Sequence, residues 1–268
     1  MLIKLIKQEF AATWRIMGPI FAAALGISVL ANFSSRLIDS GANDIPVLDV
    51  IAALIVVAFS FALVAVVIMS LVVMISRFRK NLLSDEGYLM HTLPVSVHSL
   101  VWAKLIVSIV WFFVTSLVII LAAVIVTFRV ELVTRFFEGF SVLIRQLSEY
   151  GIDINVYLIG FEMLIAVIVT CLACCLVFYA AMSLGHSFTA HKSLLSVVFF
   201  FALTFGGQVV GTSLLIPLAN RLAAAMSAAD MFGALHSSLL FGIASELFYC
   251  AVCYVITTFS LKRRLNLD

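Results

Sequence analysis

Six long runs of apolar residues, at about 16–33, 50–75, 101–127, 156–184, 193–217 and 237–260, are separated by stretches that carry most of the charge. Each run is close to or above the ~20 residues that a helix needs to cross the hydrocarbon of a bilayer. The runs are continuous rather than alternating, so they do not fit the strands of a transmembrane barrel. The pattern predicts an all-α integral membrane protein with six transmembrane helices in a single domain, 1–268, and leaves no soluble module over.

Two further stretches have helical periodicity but are too polar to span. In residues 1–15, Leu2, Leu5, Ile6, Phe10 and Trp14 share one helical face, while Lys4, Lys7, Gln8 and Glu9 lie largely elsewhere. This predicts an amphipathic interfacial helix lying along the inner membrane surface. In residues 128–155 a stripe through Leu132, Phe136, Phe137, Phe140, Leu143 and Leu147 recurs at three- and four-residue steps, with Glu131, Arg135, Glu138 and Arg145 mainly off it. This predicts an external amphipathic helix between the third and fourth spans.

Composition agrees with lipid as the solvent. The chain has 268 residues, of which 64% are hydrophobic and 11% charged; soluble domains are about 45–50% apolar and about 25% charged. No basic stripe with interleaved aromatics is present, which argues against a nucleic-acid partner. No small-residue cleavage site follows the first apolar run, so a removable leader is not expected. Cys171, Cys174, Cys175, Cys250 and Cys253 all fall within apolar runs. They are expected as small buried packing residues rather than metal ligands or disulfides.

Charge distribution orients the six runs. Sixteen Lys and Arg are present. If the spans alternate from an N-terminus inside, eleven fall on the cytoplasmic side, including Lys4, Lys7, Arg77, Arg79, Lys80, Lys104, Lys192 and the cluster Lys262-Arg263-Arg264. The excess of basic residues in cytoplasmic loops predicts N-in, C-in and an even number of spans. The expected location is a plasma membrane, multi-pass and bacterial.

The stretch between the second and third spans, 77–100, reads as a cytoplasmic coupling segment. Arg77, Arg79 and Lys80 anchor the end of one span at the headgroups. Ser84 and Asp85 can cap a short helix, with Glu86 suited to its positive end. Pro94 stops or turns the chain, and Ser96 offers a cap for the next helix. Tyr88, Leu89, Met90 and His91 would then be apolar or aromatic groups outside lipid, a usual mark of a protein contact.

The string Asp85-Glu86-Gly87-Tyr88-Leu89-Met90-His91-Thr92-Leu93-Pro94-Val95-Ser96, followed by Lys104, resembles the signature between the second and third spans of ABC-2-type ABC exporter permeases. The resemblance extends to the six-span layout and the basic ends. It implies the membrane-spanning subunit of an ATP-driven exporter, not itself an enzyme. Glu86, Gly87, Tyr88, Leu89, Met90, His91, Thr92, Leu93 and Pro94 would dock into a groove of a separate ABC ATPase. It further implies two ATPase copies, a second permease subunit, identical or related, and ATP with Mg bound by the partner rather than by this chain. The cargo implied is peptide, drug or lipid-like, and apolar spans favour an amphipathic one. A phosphate loop is not found: Gly185-His-Ser-Phe-Thr-Ala-His-Lys192-Ser193 lacks the second glycine such a loop needs.

Polar residues within the spans are the remaining candidates. Glu246 in the sixth run, Glu162 in the fourth and Gln208 in the fifth are translocation-path candidates, because a carboxylate at membrane depth is costly unless paired, hydrated or protonated. A structural, hydrogen-bonded role stays open for each acid, and Glu162 lies nearer the outer interface. The run Gly206-Gly207-x-x-x-Gly211 is suited to close helix approach. His91, His98, His186, His191 and His236 form no catalytic spacing and are expected as interfacial polar residues. Three other readings stay in view: an ion- or proton-coupled secondary transporter using Glu246 and Glu162, a membrane enzyme such as an intramembrane hydrolase, and a non-transporting immunity or accessory protein.

Overall fold

The computed structural model describes residues 2–40, 46–83, 96–127, 156–188, 191–225 and 231–263, together with 135, 138–139, 141–142 and 145–146. Six long helices hold most of the described chain: α1 (Leu2–Ser40), α2 (Pro46–Leu82), α3 (Val97–Thr127), α4 (Val156–Gly185), α5 (Lys192–Ala225) and α6 (Met231–Arg263). All six are long and apolar enough to cross a membrane. Their outer faces carry side chains that water would not tolerate in such number: Leu54, Phe61, Phe205, Val209 and Phe248 are each more than 60% exposed. Lipid around these faces replaces the second apolar layer that a soluble fold would need. No strand occurs among the described residues.

The helices divide into two compact units, one of Met1–Met74 with Ile106–Phe140 and the other of Ile75–Leu105 with Ser141–Asp268. In the first unit, α1, α2 and α3 pack around Trp111, which is fully buried with Met17, Phe21, Val66, Val73 and Val107. The Trp111 indole stacks on Phe10 at 4.8 Å between ring centroids and donates its N–H to the Thr13 hydroxyl at 2.7 Å. Toward the other end of these helices, the Asn32 side chain of α1 donates to the carbonyls of Ile125 and Val126 at 2.8 and 3.0 Å. Those carbonyls lie in the last turn of α3, where no intrahelical donor remains, so α1 caps its neighbour. Ser70 and Thr115 share a hydrogen bond at 3.0 Å between α2 and α3. The paired positions run in the same order along α1 and α3 and in the reverse order along α2.

The separate interfacial helix expected over 1–15 is corrected here: residues 2–15 are the first turns of an unbroken α1. The stripe that looked amphipathic continues at helical spacing through Ile6, Phe10, Thr13, Met17 and Phe21 and packs beside Trp111, 14 residues into α3. Pro19 sits inside the helix. It deprives the Arg15 carbonyl of a donor without ending the helix, a substitution that membrane helices tolerate. Within the segment 77–100, α2 continues to Leu82 and α3 starts at Val97, so its two ends are helical. The external segment 128–155 lies for the most part outside the described residues; Arg135, Glu138, Arg145 and Gln146 are helical and exposed.

In the second unit α4 and α6 run in the same direction and α5 runs against them. Val169 and Thr170 of α4 meet Cys250 and Glu246 of α6, and Phe178 stacks on Phe200 of α5 at 4.6 Å. The turn from α4 to α5 is tight. A Cβ on Gly185 would stand 2.6 Å from the Ser196 nitrogen and 2.8 Å from the Lys192 oxygen, so only glycine fits. His191 adopts φ 55° and its carbonyl accepts from Leu195 N at 3.0 Å, starting α5.

Candidate functional site

The stretch expected to carry function, Glu86 to Pro94, lies outside the described residues, but both of its anchors are described. On the α2 side, Phe78 and Leu82 are fully buried and Asn81 and Leu83 are nearly so. Phe78 stacks on Tyr179 of α4 with centroids 3.9 Å apart and planes within 10°. This fixes the end of α2 against α4 through a large desolvated aromatic contact.

On the α3 side, Ser96 caps the helix as the sequence predicts. Its Oγ accepts from Ser99 N at 3.3 Å and its carbonyl from Ser99 and Leu100 N. Two residues on, His98 joins the last turns of α6. Nε2 is 2.8 Å from Lys262 Nζ and Nδ1 is 2.7 Å from Tyr254 Oη. An ammonium can only donate, so Nε2 accepts and Nδ1–H donates to Tyr254. This Lys262–His98–Tyr254 chain was not legible in sequence, because its members are 156 and 164 residues apart. Lys104, expected to open the third span, is buried.

Beside these anchors, a cavity of about 290 Å³ lies among α2, α4 and α5. Ile75, Phe178, Met182, Val197 and Phe200 give it apolar wall, and Arg79, His186 and Ser193 supply polar groups. The His186 Nδ1–H donates to the Met182 carbonyl at 2.9 Å. Burial holds the His186 imidazole below the ordinary histidine pKa; the Met182 bond opposes this, and the positive charges of Arg79 and Lys192 add to it. Sequence spacing gave no sign of the cavity, whose lining comes from three helices.

The translocation-path candidates divide. Glu246 of α6 accepts a hydrogen bond from Thr170 of α4 at 3.0 Å. Glu162 of α4 is buried and pairs with Nδ1 of His236 near the start of α6; its second oxygen, Oε2, has no hydrogen-bond partner among the described residues. Glu162 is therefore a buried, paired acid, and its partner His236 lies in the second turn of α6. The two acids share one α4–α6 seam at levels eight residues apart on α4, about 12 Å. Gln208 does not join them: its side chain is exposed on α5.

Of the glycine run, Gly207 alone is closely approached. A Cβ there would be 2.8 Å from the Tyr249 ring, whose hydroxyl donates to the Leu203 carbonyl at 2.9 Å, whereas Gly206 and Gly211 face open space. The close approach expected from the run is thus a single contact between α5 and α6. All five cysteines are free; Cys175, Cys250 and Cys253 are buried as expected, but Cys174 is exposed on α4. It lies on a different face from Cys175, because adjacent helical residues point about 100° apart.

Compared with protein-family models, curated proteins and solved structures, the chain matches none of them.

Proposed function

We propose that this chain is the membrane-spanning subunit of an ABC exporter of the ABC-2 type, oriented N-in and C-in, and that it moves an amphipathic peptide, drug or lipid-like cargo across a bacterial plasma membrane. The observation that carries the reading is the string Asp85 to Ser96 between two apolar helices. Six helices long and apolar enough to cross a membrane support it. So do the stiff anchors of that string, Phe78 on Tyr179 and His98 on Tyr254 and Lys262. A force applied to 86–94 by a separate ATPase would be delivered to the ends of α2 and α3, and from them to α4 and α6. Closure of two ATPase subunits would thereby tilt the spans of two paired permeases, with ATP and Mg held by the partner and no chemistry in this chain.

The test is affinity purification of the tagged chain from native membranes, with ATP hydrolysis measured in the eluate. Tyrosines at interfaces are frequent hot spots, so Tyr88→Ala is expected to weaken ATPase association by about 2 kcal/mol, roughly thirtyfold. Glu86→Ala should act in the same direction. Unchanged co-purification and transport in both variants would end the assignment.

A proton-coupled transporter is the second reading, favoured by one observation: Glu162 and Glu246 occupy the same α4–α6 seam, the first paired with His236 and the second with Thr170. Uptake or release of cargo by the purified chain in liposomes under a proton gradient, with no ATPase present, would replace the first reading by this one.

A further inference from the structure

The cavity among α2, α4 and α5 has a polarity gradient along its length. Ile75, Phe178 and Phe200 lie toward the interior of their helices, and Arg79, His186 and Ser193 lie at the helix ends. By helical rise the separations are about 6 Å from Ile75 to Arg79, about 12 Å from Phe178 to His186 and about 10 Å from Phe200 to Ser193. An occupant must therefore be apolar at one end and polar at the other. The volume of about 290 Å³ sits at the bottom of the usual range for ligand pockets, about 300–1,000 Å³.

Charge selects the sign of the polar end. The Arg79 guanidinium is exposed and makes no ion pair or hydrogen bond among the described residues, while its backbone carbonyl accepts from Leu83 N at 2.9 Å. The ends of α2, α3, α5 and α6 also carry Arg77, Lys80, Lys104, Lys192 and Lys262. The described residues 75–83, 96–105, 178–188, 191–200 and 254–263 contain no Asp or Glu. A basic end of this kind attracts anionic lipid, and the exposed Arg79 by itself adds about 1 kcal/mol near the headgroups. The first backbone N–H groups of α5, beside Ser193, add donors that no helical carbonyl satisfies.

We propose that this cavity binds an anionic phospholipid, with the phosphate on Arg79 and the start of α5 and the upper acyl chain against Phe178, Met182, Val197 and Phe200. Occupancy would bridge α2, α4 and α5 at the foot of the segment 84–95. The proposal does not rest on the ATPase reading, since any membrane protein with this cavity would meet the same lipid.

The experiment is native mass spectrometry of the full chain in detergent, titrated separately with phosphatidylglycerol, phosphatidylcholine and inorganic phosphate. Phosphatidylglycerol is expected to bind at least tenfold more tightly than phosphatidylcholine. Arg79→Gln should remove about that tenfold preference, Arg79→Lys should keep most of it, and Arg77→Gln, outside the cavity, should change it less than threefold. Ala181→Leu, which narrows the wall without touching a charge, should weaken both lipids alike. Equal phosphatidylglycerol binding by the protein with and without Arg79→Gln would overturn the proposal. So would saturation by inorganic phosphate at lipid-like concentrations, which would mark a free-phosphate site. In native membranes a photo-crosslinker placed at Val197 should capture lipid; a cross-linked protein there would assign the cavity to a partner's side chain and overturn the lipid.

Discussion

In the unit of Met1–Met74 with Ile106–Phe140, the cross-helix hydrogen bonds described above join neutral groups: Trp111 to Thr13, Ser70 to Thr115, and Asn32 to two carbonyls of α3. In the unit of Ile75–Leu105 with Ser141–Asp268 a neutral bond, Tyr249 to the Leu203 carbonyl, stands beside three that involve charged or titratable side chains: Glu162 with His236, Glu246 with Thr170, and Lys262 with His98. The difference is physical rather than decorative. A neutral bond between membrane helices is worth about 0.6 kcal/mol on average and changes little with conditions. A carboxylate or imidazole in the same setting couples packing to protonation, ions and ligands, because burying its charged form is costly. The bonds named for the first unit are indifferent to protonation, whereas those on the α4–α6 seam of the second would respond to it.

The largest way to break that comparison is at Trp111. It is fully buried, stacks on Phe10 and Trp14 and donates to Thr13. Trp111→Ala is expected to cost about 3 kcal/mol, at the low end of large-to-small core changes, because the reference state is lipid rather than water. Trp111→Phe should keep most of the packing and cost about 1 kcal/mol for the lost bond. Denaturant titration in detergent, followed by helical ellipticity, reads both. A cost below 1 kcal/mol for Trp111→Ala would show that the first unit is not held by this cluster.

The helices themselves were legible because lipid demands one thing of a span, a run of about 20 apolar residues. All six runs became helices, and every helix is longer than its run, since Ser40, Arg79 or Lys262 can extend a helix beyond the hydrocarbon without disturbing the apolar count. Residues 1–15 misled for the same reason: periodicity reports which face is buried, not whether lipid or Trp111 covers it. At the candidate site, Ser96 was legible because a cap is a local signal. The pairs Glu162–His236 and His98–Lys262 were not, since no local pattern records a partner 74 or 164 residues away. Gln208 shows the converse limit: the sequence marks a polar residue within an apolar run but not the face on which it lies, which here is the exposed one.

A smaller effect is expected at the α4–α5 turn, where two backbones approach closely. Gly185→Ala sets a methyl against the Ser196 nitrogen and the Lys192 oxygen. Backbone cannot rotate away as a flexible side chain can, so the cost should reach about 1–3 kcal/mol. Gly206→Ala, where a methyl meets open space, should stay within about 0.5 kcal/mol. Thermal unfolding of the two variants side by side separates them. Equal stability would mean that the start of α5 shifts freely, and that the second unit is softer at its turn as well as along its seam.

The finest division between the units is measurable as a coupling energy. Double-mutant cycles at Ser70→Ala with Thr115→Val, and at Thr170→Val with Glu246→Gln, each isolate one cross-helix bond of comparable length, 3.0 Å in both. The neutral pair should couple by about 0.6 kcal/mol, the membrane average. Replacing a carboxyl acceptor by an amide removes the stronger kind of bond, so the second cycle should reach about 1–1.7 kcal/mol. Unfolding in detergent at one pH and one lipid ratio supplies all seven stabilities, the wild type being common to both cycles. If the two couplings agree within error, Glu246 behaves as one more neutral packing group. The contrast would then rest on Glu162 and its imidazole partner alone.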